Sequence, residues 1–200
     1  MKTRAQIAVF GGILALAGLL SLGGCSDDGA NDAQRLVCDV MTVNAGNPLV
    51  SAYVNAGSDQ TVGTDDDYQP IDTVQVIFHA RPYGSTVFVP EDGAYSWFEI
   101  TRYDLRWETP AGAPDLSGQG VTGGVAYAMV PAYEEGAVSV LIAGMDFKSA
   151  QWFIDLYNEA IPSFQATARL TFYGHESGSD EEVAIETGLQ VNFIGVVIDG

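Results

Sequence analysis

Five aspartates fall within residues 57–72, in the run Gly57-Ser58-Asp59-Gln60-Thr61-Val62-Gly63-Thr64-Asp65-Asp66-Asp67-Tyr68-Gln69-Pro70-Ile71-Asp72, and no basic residue stands among them. Carboxylates at this density are hard oxygen ligands. Ca2+ takes about six to eight oxygens in irregular geometry, so it is the ion that such a glycine-containing loop invites. Asp59, Asp65, Asp66 and Asp67 are the candidate ligands, and an acidic turn exposed to solvent is the competing reading of the same residues. The terminal glutamate and the odd-position ligand series of an EF-hand are missing. The other reactive types are sparse. His79 and His175, the two histidines, sit on separate segments with no metal-ligand spacing between them. There is no Gly-x-Ser-x-Gly elbow, His-Glu-x-x-His helix, phosphate-cradling loop or Cys-x-x-Cys pair. With 26 acidic residues some carboxylate pair must fall at glycosidase distance by chance, so none is singled out. The chain is therefore predicted to be no enzyme and to require no cofactor, with calcium as the one candidate ion. Trp97 and Tyr95 could stack on a sugar ring if exposed, whereas Trp107 is phased with the core and Trp152 is placed to pack a helix.

The N-terminal segment carries a different chemistry, that of attachment. Lys2 and Arg4 precede the apolar residues 7–20, and Leu22-Gly23-Gly24-Cys25 follows. A basic region, a short apolar region and a small-residue cleavage position describe a secretory signal, and the apolar stretch is shorter than the roughly 20 residues a bilayer needs. Leu22-Gly23-Gly24-Cys25 resembles the lipobox of a bacterial lipoprotein. The resemblance implies cleavage before Cys25, acylation of its sulfur and amine, and stable anchoring by more than one chain. Residues 25–35, opening Cys25-Ser26-Asp27-Asp28, read as a flexible acidic tether. Within the lipoprotein class, serine after the cysteine implies the outer membrane, either facing the periplasm or exposed on the cell surface. Cys-Ser-Asp-Asp also resembles an acidic surface-export signal, and the aspartate loop resembles one that recurs in bacterial surface proteins.

Removing residues 1–24 takes away Lys2 and Arg4 and no acid, leaving six basic against 26 acidic side chains, a formal charge of about −20. Such a surface disfavours nucleic acid and anionic lipid as partners. With Cys25 acylated, Cys38 is the one remaining thiol, so no internal disulfide can form; a buried, unreactive position is expected for it.

The elements that position these residues follow from period-2 alternation, which recurs far more often than helical spacing. Val74, Val76, Phe78 and Ala80 share one strand face. Tyr103, Leu105 and Trp107 share another, while Phe98 and Ile100 have the opposite phase, which predicts a β-bulge near Thr101. Further strands are predicted over residues 121–130 and 137–147, joined by a turn at 131–136, the second apolar on both faces and hence central. Ala166, Ala168, Leu170 and Phe172 mark a later inner face, residues 175–180 a polar hairpin loop, and residues 183–193 a last long strand with a bulge at Gly188. Only residues 149–160 read as helix, ended by Pro162.

The predicted fold is all-β, an immunoglobulin-like two-sheet sandwich with one short helix, in a single domain over residues 36–200. Tyr103-Asp104-Leu105-Arg106-Trp107-Glu108 and Ala168-Arg169-Leu170-Thr171-Phe172-Tyr173-Gly174-His175-Glu176 are similar to stretches of uncharacterised β-sandwich lipoproteins, a resemblance that implies architecture and no activity. The expected function is a non-catalytic structural, adhesive or assembly module anchored in the cell envelope, with the membrane and envelope proteins or glycans as partners. A carbohydrate-binding surface lipoprotein is the alternative, and an exposed aromatic row would distinguish it.

Overall fold

The computed structural model describes residues 35–83 and 96–198. The expected signal peptide, Cys25, most of the expected tether and Tyr95 lie outside the described residues.

Alternating apolar residues become eight strands: β1 (Leu36–Val43), β2 (Leu49–Asn55), β3 (Asp72–Pro82), β4 (Trp97–Glu108), β5 (Val121–Pro131), β6 (Glu135–Ala143), β7 (Phe164–Glu176) and β8 (Val183–Val197). Two short helices, α1 (Met145–Lys148) and α2 (Gln151–Tyr157), lie between β6 and β7. The strands form a three-stranded sheet, β1-β3-β6, and a five-stranded sheet, β2-β8-β7-β4-β5. Every pairing is antiparallel except that of β2 with β8. This is the all-β sandwich class that the alternation predicts. No helix among the described residues is long and apolar enough to cross a membrane.

One hydrophobic core holds both sheets. Val74, Val76, Phe78 and Ala80 of β3 face Phe98, Ile100, Tyr103 and Leu105 of β4 and Ala166, Ala168, Leu170 and Phe172 of β7, all buried. The pairing of β4 shifts between Ile100 and Arg102, so the bulge falls at Thr101 and returns Tyr103 and Leu105 to the interior. Phe78 meets Phe172 edge to face across the sheets, with ring centroids 5.0 Å apart. Beyond the reach of the smaller sheet, Phe193 of β8 is covered by Phe147, Trp152 and Phe153 from the helical segment. Gly174 is required where β7 crosses β4, because a Cβ there would collide with the Glu99 carbonyl and the Phe98 ring.

Four expectations are corrected. The strand predicted over 137–147 stops at Ala143 and lies at the edge of its sheet, not the centre; β3 is central, and the outward Leu141 stays exposed. Its apolar run reflects the turn into α1, where Phe147 is buried. The helix predicted over 149–160 is two helices separated by an extended Ala150, and it ends well before Pro162, at Asn158, with Glu159 left-handed at φ +58°. The loop predicted at 175–180 begins later, since His175 and Glu176 still belong to β7. Gly188 makes no bulge: the β7–β8 register is unbroken and Thr187 takes the inward place between Ile185 and Leu189.

Phe172→Ala is expected to cost about 3–5 kcal/mol, because the ring is fully enclosed and the cavity cannot collapse between two sheets. Arg106→Ala, on the outward side of β4, is expected to change stability by less than about 0.5 kcal/mol. Urea midpoints compared at equal m-values check the pair, and equal losses would reverse the assigned strand phase.

Candidate functional site

The acidic segment closes on itself. Asn55 and Tyr68 exchange backbone hydrogen bonds of 2.8 and 3.1 Å at its base. Inside, Asp66 is the organising acceptor: Oδ2 takes the Ser58 amide at 2.7 Å, the Ser58 hydroxyl at 2.9 Å and the Asp59 amide at 3.3 Å, and Oδ1 takes the Thr64 hydroxyl at 2.8 Å. The Thr64 hydroxyl, followed by the Ser58 hydroxyl and amide, pulls the Asp66 carboxyl down to about 2. Gly57, at φ +65°, allows this, since any Cβ there would meet the Asp66 carboxylate. Asp59 accepts from the Thr61 amide at 2.8 Å and Asp67 from the Gly63 amide at 2.6 Å. Asp59, Asp65, Asp66 and Asp67 thus share one turn but do not converge: among the described residues no three Asp, Glu, His or Cys side chains gather as a metal ion needs. A cation at Asp66 would compete with donors already in place.

The fifth aspartate does not belong to the turn. Asp72 opens β3 and is buried, with Oδ2 accepting from the Ser51 hydroxyl of β2 at 2.5 Å and paired to Lys148 Nζ at 2.8 Å. Lys148, the last residue of α1, is 0% exposed; its ammonium also donates to Ser51 Oγ at 3.1 Å and the Ala52 carbonyl at 2.5 Å, with the Phe153 ring 4.9 Å away. Burial dominates both partners, pushing the Asp72 carboxyl up and the Lys148 amine down. Glu176 is a second buried carboxylate. It accepts from the Arg35 amide at 2.6 Å, Arg35 Nε at 3.0 Å, the Leu36 amide at 3.0 Å and the Ser96 hydroxyl at 3.2 Å, pinning the point where the N-terminal segment joins the fold.

The outward face of the five-stranded sheet is charged and ordered. Arg102 lies over the Tyr173 ring, 3.5 Å from its centroid, and pairs with Glu182 at 2.7 Å. Tyr173 donates to Asp104 at 3.1 Å, and Arg169 pairs with Glu108 at 3.0 Å. Arg106 and Arg169 are cross-strand neighbours at the floor of an open concavity of about 650 Å3, which Gly188 leaves unfilled. Like charges set directly opposite oppose each other; Glu108 and Glu186 beside them offset this. At the sheet's edge, β5 pairs among the described strands only with β4 and presents Val125, 87% exposed, with Tyr127 and Met129 on the same face.

The histidines are not brought together. His79 lies on β3 of the smaller sheet, opposite Asp39 and Glu135, while His175 lies on β7 with Nε2 3.2 Å from Glu99. Cys38 is buried, and burial, with Asp39 adding a little, pushes its thiol up to about 12, so it stays protonated and inert. Trp97, Trp107 and Trp152 are all partly covered, and the exposed tyrosines Tyr68, Tyr83, Tyr127 and Tyr133 sit on separate segments. Sequence reasoning missed Lys148 and Glu176. One signal was available for the first: Lys148 is the only lysine after Lys2. No protein-family model and no curated protein matches the chain.

The Asp66 carboxyl sits lower folded, at about 2, than its ordinary 3.8. The order it gives the turn is therefore complete above about pH 4 and is lost as pH falls through about 2. Amide exchange of Ser58 and Asp59 is expected to accelerate over that window and, in Asp66→Ala, already at neutral pH. Unchanged protection in the variant would remove Asp66 from its organising role.

Proposed function

We propose that this chain is an outer-membrane lipoprotein, anchored through Cys25, whose sandwich is a non-catalytic adhesive or assembly module that recognises an envelope protein along β5. The observation that carries the reading is the exposed apolar row Val125, Tyr127 and Met129 on a strand whose second edge pairs with no other described strand. Natural sheets blunt open edges with charge, proline or a covering loop. On a chain this acidic, three consecutive outward positions without charge form a surface poorly suited to water and suited to an added strand, with backbone bonds giving affinity and the outward row giving selectivity. Tyr127 is held in place by its hydroxyl, which donates to Glu99 at 3.0 Å.

The glycan alternative has one observation in its favour. Pro110, Pro114, Trp152, Ile161 and Phe164 line an open groove of about 570 Å3 with Asp155 at its rim, a size that takes a small saccharide. Saturable binding of soluble glycans that Trp152→Ala abolishes, with β5 variants unaffected, would favour that reading.

Two measurements test the proposal. Cys25→Ser is expected to leave the protein in the soluble fraction or as uncleaved precursor, because the acyl chains have no other attachment point; a processed variant that resists a high-salt wash of membranes would overturn the anchor. A photo-crosslinking residue at Tyr127 is expected to give one discrete adduct in intact cells, lost in Val125→Lys, whereas the same residue at Gln75 on the opposite sheet gives none. Identical adduct patterns at both positions, or none at Tyr127, would exclude β5 as the recognition strand.

A further inference from the structure

Lys148 is placed where an arginine would serve a plain ion pair better. Arg35, Arg81, Arg102, Arg106 and Arg169 supply every other basic side chain after residue 24, and all lie at or near the surface. The one lysine is fully enclosed against an aspartate. Arginine keeps its charge when buried and holds carboxylates with a rigid fork; lysine gives up its proton and becomes a nucleophile.

We propose that Lys148 and Asp72 join in an intramolecular amide bond that staples α1 to the start of β3. The amine nitrogen lies 2.8 Å from Asp72 Oδ2, in contact with the carboxyl it would attack. The fold holds both groups in this position from different elements, which makes a bimolecular condensation effectively unimolecular. Neither group is exposed, so each loses the hydration that favours its ion, and this desolvation works against an ion pair here. The forms that burial favours, a free amine and an un-ionised carboxyl, are the reactive ones.

The step is a condensation with no change of oxidation state. The Lys148 Nζ lone pair attacks Asp72 Cγ and the N–C bond forms. The Cγ–Oδ2 bond breaks, and Oδ2 leaves as water, carrying the carboxyl proton and one proton from Nζ. Ser51 Oγ lies within hydrogen-bond distance of both Nζ, at 3.1 Å, and Oδ2, at 2.5 Å, and so can relay that proton. The amide retains one N–H, for which the Ala52 carbonyl is already the acceptor.

The test is peptide mass spectrometry of the full-length protein purified in its folded state, then denatured and digested with trypsin. Trypsin cuts after arginine and free lysine. Arg81 precedes Pro82 and is not cut, so Asp72 lies in the peptide 36–102; an amide at Lys148 blocks the cut there and yields a branched product, residues 107–169 joined to residues 36–102, lighter than its two peptides by one water. Fragmentation places the branch at Lys148 and Asp72. In Lys148→Arg, which cannot form the bond, the branched product is expected to disappear and residues 36–102 to appear alone. Recovery of 36–102, 107–148 and 149–169 as separate unmodified peptides from the wild-type protein would overturn the proposal and leave a buried ion pair.

Discussion

The contact between Phe78 and Phe172 joins the middle strand of one sheet to the middle strand of the other, and the rest of the fold is placed around it. Two sheets stay together only while their inner faces exclude water, and the rows that flank this pair on β3, β4 and β7 are fully enclosed. Three strands cannot cover five. The uncovered side of the larger sheet, around Phe193 and β2, is closed by the segment from Met145 to Tyr157, whose Phe147, Trp152 and Phe153 rings supply the missing layer. That need explains why helix interrupts an otherwise all-strand chain between β6 and β7, and why the interruption is short.

A short helical cap has few backbone bonds of its own, so it depends on side chains to hold its position. Lys148 does this from the end of α1, with its acceptors on β2 and at the start of β3. Glu176 has the same role at the opposite joint, gathering the first amides of β1 and the Ser96 hydroxyl at the end of β7. Buried polar groups are tolerable only when partnered, and both are: one secures the cap, the other the place where the segment leading from the proposed anchor enters the domain. A load applied at the N-terminus would reach the sheets through Glu176 first.

The inward rows were legible because one buried face imposes period-2 alternation on any sequence that survives there, and the bulge at Thr101 showed as a change of phase. Strand position within a sheet was not legible. The residues before α1 are apolar on both faces because the chain turns there to feed Phe147 into the core, a tertiary cause that leaves the same pattern as a central strand. The helix end was misplaced for a similar reason: Pro162 is a visible stop, but the left-handed Glu159 had already ended the helix. At the acidic turn, composition placed five aspartates in one run and offered Asp59, Asp65, Asp66 and Asp67 alike as ligands, while geometry divides the run: Asp66 organises the turn, and Asp72 belongs to the interior. Burial and the identity of the partners separate these roles, and spacing alone does not carry them.

The distribution of charge bears on what β5 can meet. Outside the acidic turn, the outward face of β4 alternates Arg102, Asp104, Arg106 and Glu108, and most of these pair with groups on β7 or near the start of β8. This face is locally neutralised and offers little net attraction. The remaining acids give the molecule a long-range negative field that keeps copies of itself apart at low ionic strength. An apolar row on an open strand would, on a neutral surface, invite self-pairing. Under the proposed role of β5, the field would oppose that encounter and favour partners of lower negative charge, so the acidity of the chain would work as selectivity for a different molecule over a second copy.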